Sequence, residues 1–94
     1  MKRVKYTIAN WKMNGTDKSI NLVHTVAEYL KKTNHKKSKV IICPPFTLLK
    51  TFNDKIKSSY IKLGAQNCNA SYEYGPITGA INPKLIKSVG AKYV

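Results

Sequence analysis

Short apolar runs of strand character alternate with stripes of helical spacing along this whole chain, and that alternation narrows the possible folds more than any other feature. Val4 to Ile8 alternates roughly between apolar and polar residues, as a strand does. Asn14-Gly15 is a turn signal and Thr16 a helix N-cap. Ile20, Val23, Ala27 and Leu30 follow at spacings of three and four, with Asp17 at the start of this stripe and Lys31-Lys32 at its end, as the helix dipole favours. After a polar linker from Thr33 to Ser38, Lys39 to Cys43 forms a nearly continuous apolar run halted by Pro44-Pro45. This is the pattern of a parallel strand buried on both faces. Leu48, Leu49, Phe52 and Ile56 make a second helical stripe, and Tyr60 to Ala65 a third strand. A long polar loop from Gln66 to Thr78 then leads to Asn82-Pro83, an N-cap with proline at the first helical position. That helix runs through Leu85, Ile86 and Val89 to Gly90, and Ala91 to Val94 begins a fourth strand. The order β-α-β-α-β-α-β defines an α/β chain with parallel strands and right-handed crossovers.

The chain has 94 residues, enough for a single domain spanning residues 1–94. Its 17 basic and 4 acidic residues give a net charge of +13, a balance that raises the question of nucleic acid. Sixteen of the basic residues are lysine and only Arg3 is arginine, whereas specific base and phosphate readers favour the bidentate arginine fork. The lysines are scattered, and the accompanying Asn, Ile and Tyr share AT-rich codons with lysine, so no specific nucleic-acid partner is expected. No apolar run approaches the roughly 20 residues of a membrane span, and no signal-type apolar core follows the basic start. A cytoplasmic protein without a membrane partner is expected. Cys43 and Cys68 lie far apart without metal-ligand spacing, which leaves a disulfide open and favours two reduced thiols in a cytoplasmic protein; no metal is expected.

The chemistry is expected at Ala9-Asn10-Trp11-Lys12-Met13-Asn14-Gly15-Thr16. Asn10 and Lys12 sit where a strand runs out into a loop, which is where α/β sheets and barrels place their ligands. Lys12 offers a compact cation with three donors and Asn10 a neutral amide, a pair suited to a small anion.

Asn10-Trp11-Lys12-Met13-Asn14-Gly15 closely resembles the first strand-loop of triosephosphate isomerases. Cys43-Pro44-Pro45, Gly64-Ala65-Gln66-Asn67-Cys68, Gly75 to Pro83 and Gly90-Ala91-Lys92-Tyr93-Val94 resemble further blocks of that family, in order and in spacing. The resemblance covers the whole chain. It implies a partial (β/α)8 barrel, the first three βα units and the start of the fourth strand, since such barrels need roughly 250 residues. It implies the interconversion of dihydroxyacetone phosphate and glyceraldehyde 3-phosphate, without a cofactor, in glycolysis and gluconeogenesis. By this resemblance Asn10 and Lys12 bind the phosphorylated triose. Thr78 and Gly79 belong to a loop that reaches a neighbouring subunit, the family being homodimeric.

The family's histidine electrophile and glutamate base match no residue here. Glu28 and His24 fall on the first helix, Glu73 in the interface loop and His35 in the lysine-rich linker, so the chain alone is expected to be inactive. The interface loop also departs from the family pattern, with Ala80 where glutamate is usual and Asn82 where serine is usual. Two other readings stay open: half of a split isomerase completed by another chain, and a small basic binding module.

Overall fold

The computed structural model describes residues 3–33, 38–56 and 59–94. Three parallel strands form one sheet in the order β1-β2-β3, namely Lys5–Asn10, Ser38–Cys43 and Ile61–Leu63. The β1–β2 register runs from Lys5 opposite Ser38 to Asn10 opposite Cys43, and β2–β3 from Val40 opposite Ile61 to Ile42 opposite Leu63. The helices α1 (Ile20–Lys31), α2 (Phe46–Ile56) and α3 (Pro83–Ser88) follow the strands in turn. The fourth strand is reduced to one parallel bridge, Gly64 with Tyr93. It is held by Ala65 N–H donating to the Tyr93 carbonyl (2.9 Å) and Lys92 N–H to the Leu63 carbonyl (3.0 Å).

One apolar cluster contains residues from all three helices: Val23, Ala27 and Leu30 of α1, Leu48, Leu49, Phe52 and Ile56 of α2, and Ile86 of α3. They pack with Ile42, Ile61, Leu63, Ala65 and Ala91. The helices therefore cover one and the same face of the sheet. Phe52, fully buried at its centre, meets Trp11 edge-to-face with ring centroids 5.3 Å apart. Strands in sequential order with all helices on one side are how a barrel winds; a doubly wound sheet reverses its order and carries helices on both faces.

The opposite face is concave. By register, Tyr6, Ile8, Ile41, Cys43 and Gly64 lie on it. Tyr6 of β1 and Tyr93 of the fourth strand stand three strand spacings apart, about 14 Å on a flat sheet. Their rings nevertheless meet edge-on with centroids 6.5 Å apart, so the sheet curls over this face. Ile41 lies outside the helix-side cluster and is still only 1% exposed, which the curl accounts for.

Several expected boundaries shift. β1 ends at Asn10, two residues beyond Ile8, because Trp11 N–H continues the ladder to the Cys43 carbonyl (3.1 Å). Thr16 caps a 3-10 turn, Asp17–Ser19, that runs into α1: Thr16 N–H donates to Ser19 Oγ (3.0 Å) and Ser19 N–H to the Thr16 carbonyl (2.9 Å). β3 is three residues long, since Gly64 and Ala65 turn to the fourth strand. α3 stops at Ser88, with Val89 as C-cap and Gly90 at φ +98° behind it. Asn82 caps α3 as expected, its Oδ1 accepting from Leu85 N–H at 2.8 Å. The 34–37 stretch of the linker, with His35, Lys36 and Lys37, lies outside the described residues.

Candidate functional site

β1 and β3 both run out at the same end of the sheet, and the residues that follow them meet there. Asn10 is the last residue of β1, and its Oδ1 accepts from Lys12 N–H at 2.9 Å. That leaves the Asn10 amide nitrogen as its donor. Lys12 adopts φ +57° and is the one non-glycine residue with positive φ among those described. A lysine held there costs about 1–3 kcal/mol and persists only where its surroundings impose it. The surroundings do so. Asn14 Nδ2 donates to the Trp11 carbonyl (3.0 Å), and Gln66 Nε2 donates to the Lys12 carbonyl (2.7 Å) and to the Cys43 carbonyl (2.9 Å). Trp11, half-buried against Phe52, anchors the loop from below.

Gly15, at φ +114°, closes the loop under tight limits. A Cβ there would sit 3.0 Å from both Leu48 Cδ1 and Trp11 Cε3. Gly64 serves the same end of the sheet, because a Cβ on it would approach Cys43 Sγ to 2.8 Å. Cys43 is buried, which pushes its thiol above the ordinary value by desolvation, while Cys68 is exposed; both are free thiols.

The Lys12 side chain is exposed and forms no ion pair among the described residues. The result is a cation on a fixed backbone at the mouth of a parallel sheet, with the Asn10 amide two residues away. An exposed ammonium so held can neutralise a phosphate or a developing oxyanion. Asn10 and Lys12, expected together from sequence, are brought together. Glu28 pairs with Lys31 on the exposed side of α1 (3.1 Å), His24 is exposed on the same helix, and Glu73 pairs with Lys84 (3.6 Å). Gln66 went unnoticed as a site residue. Its signal was its place: in a parallel sheet the residue leaving β3 emerges at the same end as the residue leaving β1.

Thr78 and Gly79 lie in the exposed coil that runs from Gln66 to Asn82, with Gly79 at φ +84°. Asn82 ties this coil down through Nδ2, which donates to the Glu73 carbonyl at 3.0 Å, and Asn69 N–H donates to the Ile81 carbonyl at 2.7 Å. Lys84 reaches back to Glu73 and lies 4.5 Å from the centroid of the Tyr74 ring.

Sequential parallel strands, one helical face and a strand-end cation define a segment of a TIM-type α/β barrel. A sequence profile of the family described as triosephosphate isomerase matches residues 5–94. The chain belongs to the triosephosphate isomerase family. It is 35% identical over 89 residues to the triosephosphate isomerase of Bartonella tribocorum, covering 95% of this chain and 35% of that protein. It is 40% identical over 88 residues to that of Wolbachia pipientis wMel, covering 93% of this chain and 34% of that one. The crystal structure of triosephosphate isomerase from Bartonella henselae superposes with a TM-score of 0.83 at 36% identity, over 93% of this chain and 35% of that chain. The chain thus spans about a third of the length of these relatives. Among the described residues, no helix is long and apolar enough to cross a membrane.

Proposed function

We propose that residues 1–94 form the substrate-holding portion of a triosephosphate isomerase, in which Asn10 and Lys12 bind a phosphorylated triose. The reaction is the interconversion of dihydroxyacetone phosphate and glyceraldehyde 3-phosphate, in glycolysis and gluconeogenesis. The Lys12 ammonium answers the substrate phosphate and the negative charge that grows on the enediolate, a large term when the charge is fixed in advance. The Asn10 amide donates beside it. Proton transfer needs a base and an electrophile within hydrogen-bond reach, and these roles belong to residues outside 1–94. Thr78 and Gly79 would meet a second subunit, in a homodimer of the cytoplasm.

The observation that carries this reading is the Lys12 backbone, held left-handed with both of its polar groups bonded to side chains, so that an exposed cation stands at the family's motif position. The test is a barrel in which this chain replaces the matching third of the Bartonella henselae relative. Isomerisation should return, and Lys12→Ala should lower it by about 10²–10³-fold, while Lys50→Ala on the exposed side of α2 leaves it unchanged. Equal effects of the two substitutions would reduce Lys12 to one more solvated lysine and end the proposal.

A further inference from the structure

β1 is the outermost strand of the sheet, and one side of its backbone has no neighbour among the described residues. The ladder to β2 shows which residues turn that way. Trp11 N–H donates to the Cys43 carbonyl (3.1 Å), and the backbone groups of successive strand residues point to opposite sides. Thr7, Ala9 and Trp11 therefore face β2. Tyr6, Ile8 and Asn10 turn both N–H and C=O to the open side. The side chains of Tyr6 and Ile8 are exposed as well, on the concave face.

We infer that, in a polypeptide of residues 1–94, this edge docks a second copy of the chain, antiparallel, about a two-fold axis at Thr7. The inference goes beyond the reading of Asn10 and Lys12 and does not depend on it. With Thr7 opposite Thr7 of the second copy, Tyr6 meets Ile8 and Ile8 meets Tyr6. These residues turn N–H and C=O outward, and opposite residues of an antiparallel pair exchange both bonds. Each such pair sets an aromatic ring against a β-branched side chain, a favourable cross-strand combination.

Charge selects this register. Lys5 is the one charged residue of β1, and it falls opposite Ala9 of the second copy. The two Lys5 residues then stand four residues apart along the ladder, about 14 Å. Sliding the copies until Tyr6 meets Tyr6 halves that separation to about 7 Å. Sliding them the other way, until Ile8 meets Ile8, sets Lys5 past the end of the strand and shortens the ladder. Parallel pairing in register would lay Lys5 beside Lys5, and like charges side by side are destabilising. A separation of about 14 Å lies inside the screening length of about 30 Å at 0.01 M salt and outside that of about 8 Å at 0.15 M. Salt therefore switches this pairing on.

The experiment places single cysteines on β1 of a Cys68→Ser chain, whose remaining thiol, Cys43, is buried. Thr7→Cys, Lys5→Cys and Tyr6→Cys are each oxidised with diamide at 0.15 M sodium chloride and run on a non-reducing gel. Opposite residues of a non-hydrogen-bonded antiparallel pair have Cα atoms about 4.5 Å apart, within reach of a disulfide. Thr7→Cys should therefore link more than half of the chains as dimers, at least fivefold more than Lys5→Cys or Tyr6→Cys. Its yield should fall at least fivefold at 0.01 M salt. No dimer from Thr7→Cys, equal yields at the three positions, or the highest yield at Tyr6→Cys overturns the inference. If Thr7→Cys loses the helical signal, hydrogen exchange in the unsubstituted chain decides. Raising salt from 0.01 M to 0.15 M should slow the Tyr6 and Ile8 amides at least tenfold, and those of Thr7 and Ala9, which face β2, by less. Tyr6 and Ile8 exchange that ignores salt overturns the inference.

Discussion

Burial separates the two thiols more than their sequence context does. Cys43 lies under the β2–β3 exit at 7% exposure, and desolvation of its thiolate raises its pKa above the ordinary value, whereas Cys68 is exposed. A raised value favours folding while the thiol stays protonated. That contribution is whole below the ordinary thiol range and is lost as pH rises through the raised value. Iodoacetamide at neutral pH should therefore label Cys68 first, and Cys43 should react only under more alkaline conditions. Mass spectrometry of the partly labelled chain reads this directly, and equal labelling at neutral pH would contradict the burial. At this scale the sequence was legible wherever chemistry is local. The strand-exit position of Asn10 and Lys12 was read from the residues around them. The φ of Lys12 was not, since no glycine marks it, and neither was Gln66, whose bond to Lys12 joins residues 54 apart.

Elements were legible in proportion to how completely their faces are covered. β2 read as doubly buried, and Ile41, Ile42 and Cys43 are buried in succession, as only a central strand allows. β1 alternates in sequence and is exposed along its whole length, because alternation reports a pattern and not the presence of a neighbour to cover it. The coil before α3 carries Ala80 where the family usually has a carboxylate. Asn82 compensates: one amide caps Leu85 N–H (2.8 Å) and holds the Glu73 carbonyl (3.0 Å), while 94% of the residue's surface is removed from solvent. Loss of an N-cap costs about 0.5–2 kcal/mol. Asn82→Ala should thus speed hydrogen exchange in both Leu85 and the coil, whereas Asn82→Ser should restore the cap at Leu85 and leave the coil fast. Exchange unchanged in the coil for both variants would show that Lys84 and Glu73 hold it instead. At the exit of β3, Gly64→Ala should destabilise by about 1–3 kcal/mol, the range of overpacking, since its Cβ would drive into Cys43 Sγ.

Taken whole, the molecule is an arc and not a closed body. Its radius of gyration is 14.2 Å, and its extents are 46 × 39 × 21 Å. A compact domain of this length has a radius of gyration of about 12 Å. The excess follows from the open sheet: the edge of β1 is bare, and Val4, Tyr6 and Ile8 are 47%, 52% and 59% exposed along it, with Val94 at 65% near the other edge. A polypeptide of residues 1–94 should show no isomerisation above buffer in a coupled assay, because among its described residues Glu28 pairs with Lys31, Glu73 pairs with Lys84 and His24 is exposed on α1, all away from the β1 exit. Its solution behaviour is set by two opposed forces. Bare parallel edges with apolar side chains template association, while a charge of +13 on each copy resists it. Salt decides between them, since the screening length falls from about 30 Å at 0.01 M to about 8 Å at 0.15 M. Light scattering should report a monomer at 0.01 M salt and growing species at 0.15 M, with a broad thermal transition at either concentration. Ile8→Lys, which sets a charge on the concave side of β1, should keep the chain monomeric at 0.15 M without altering its helical signal. A single sharp transition in a monomer at 0.15 M salt would mean that the arc closes its own edges, and the bare edge of β1 would then have no part in its behaviour.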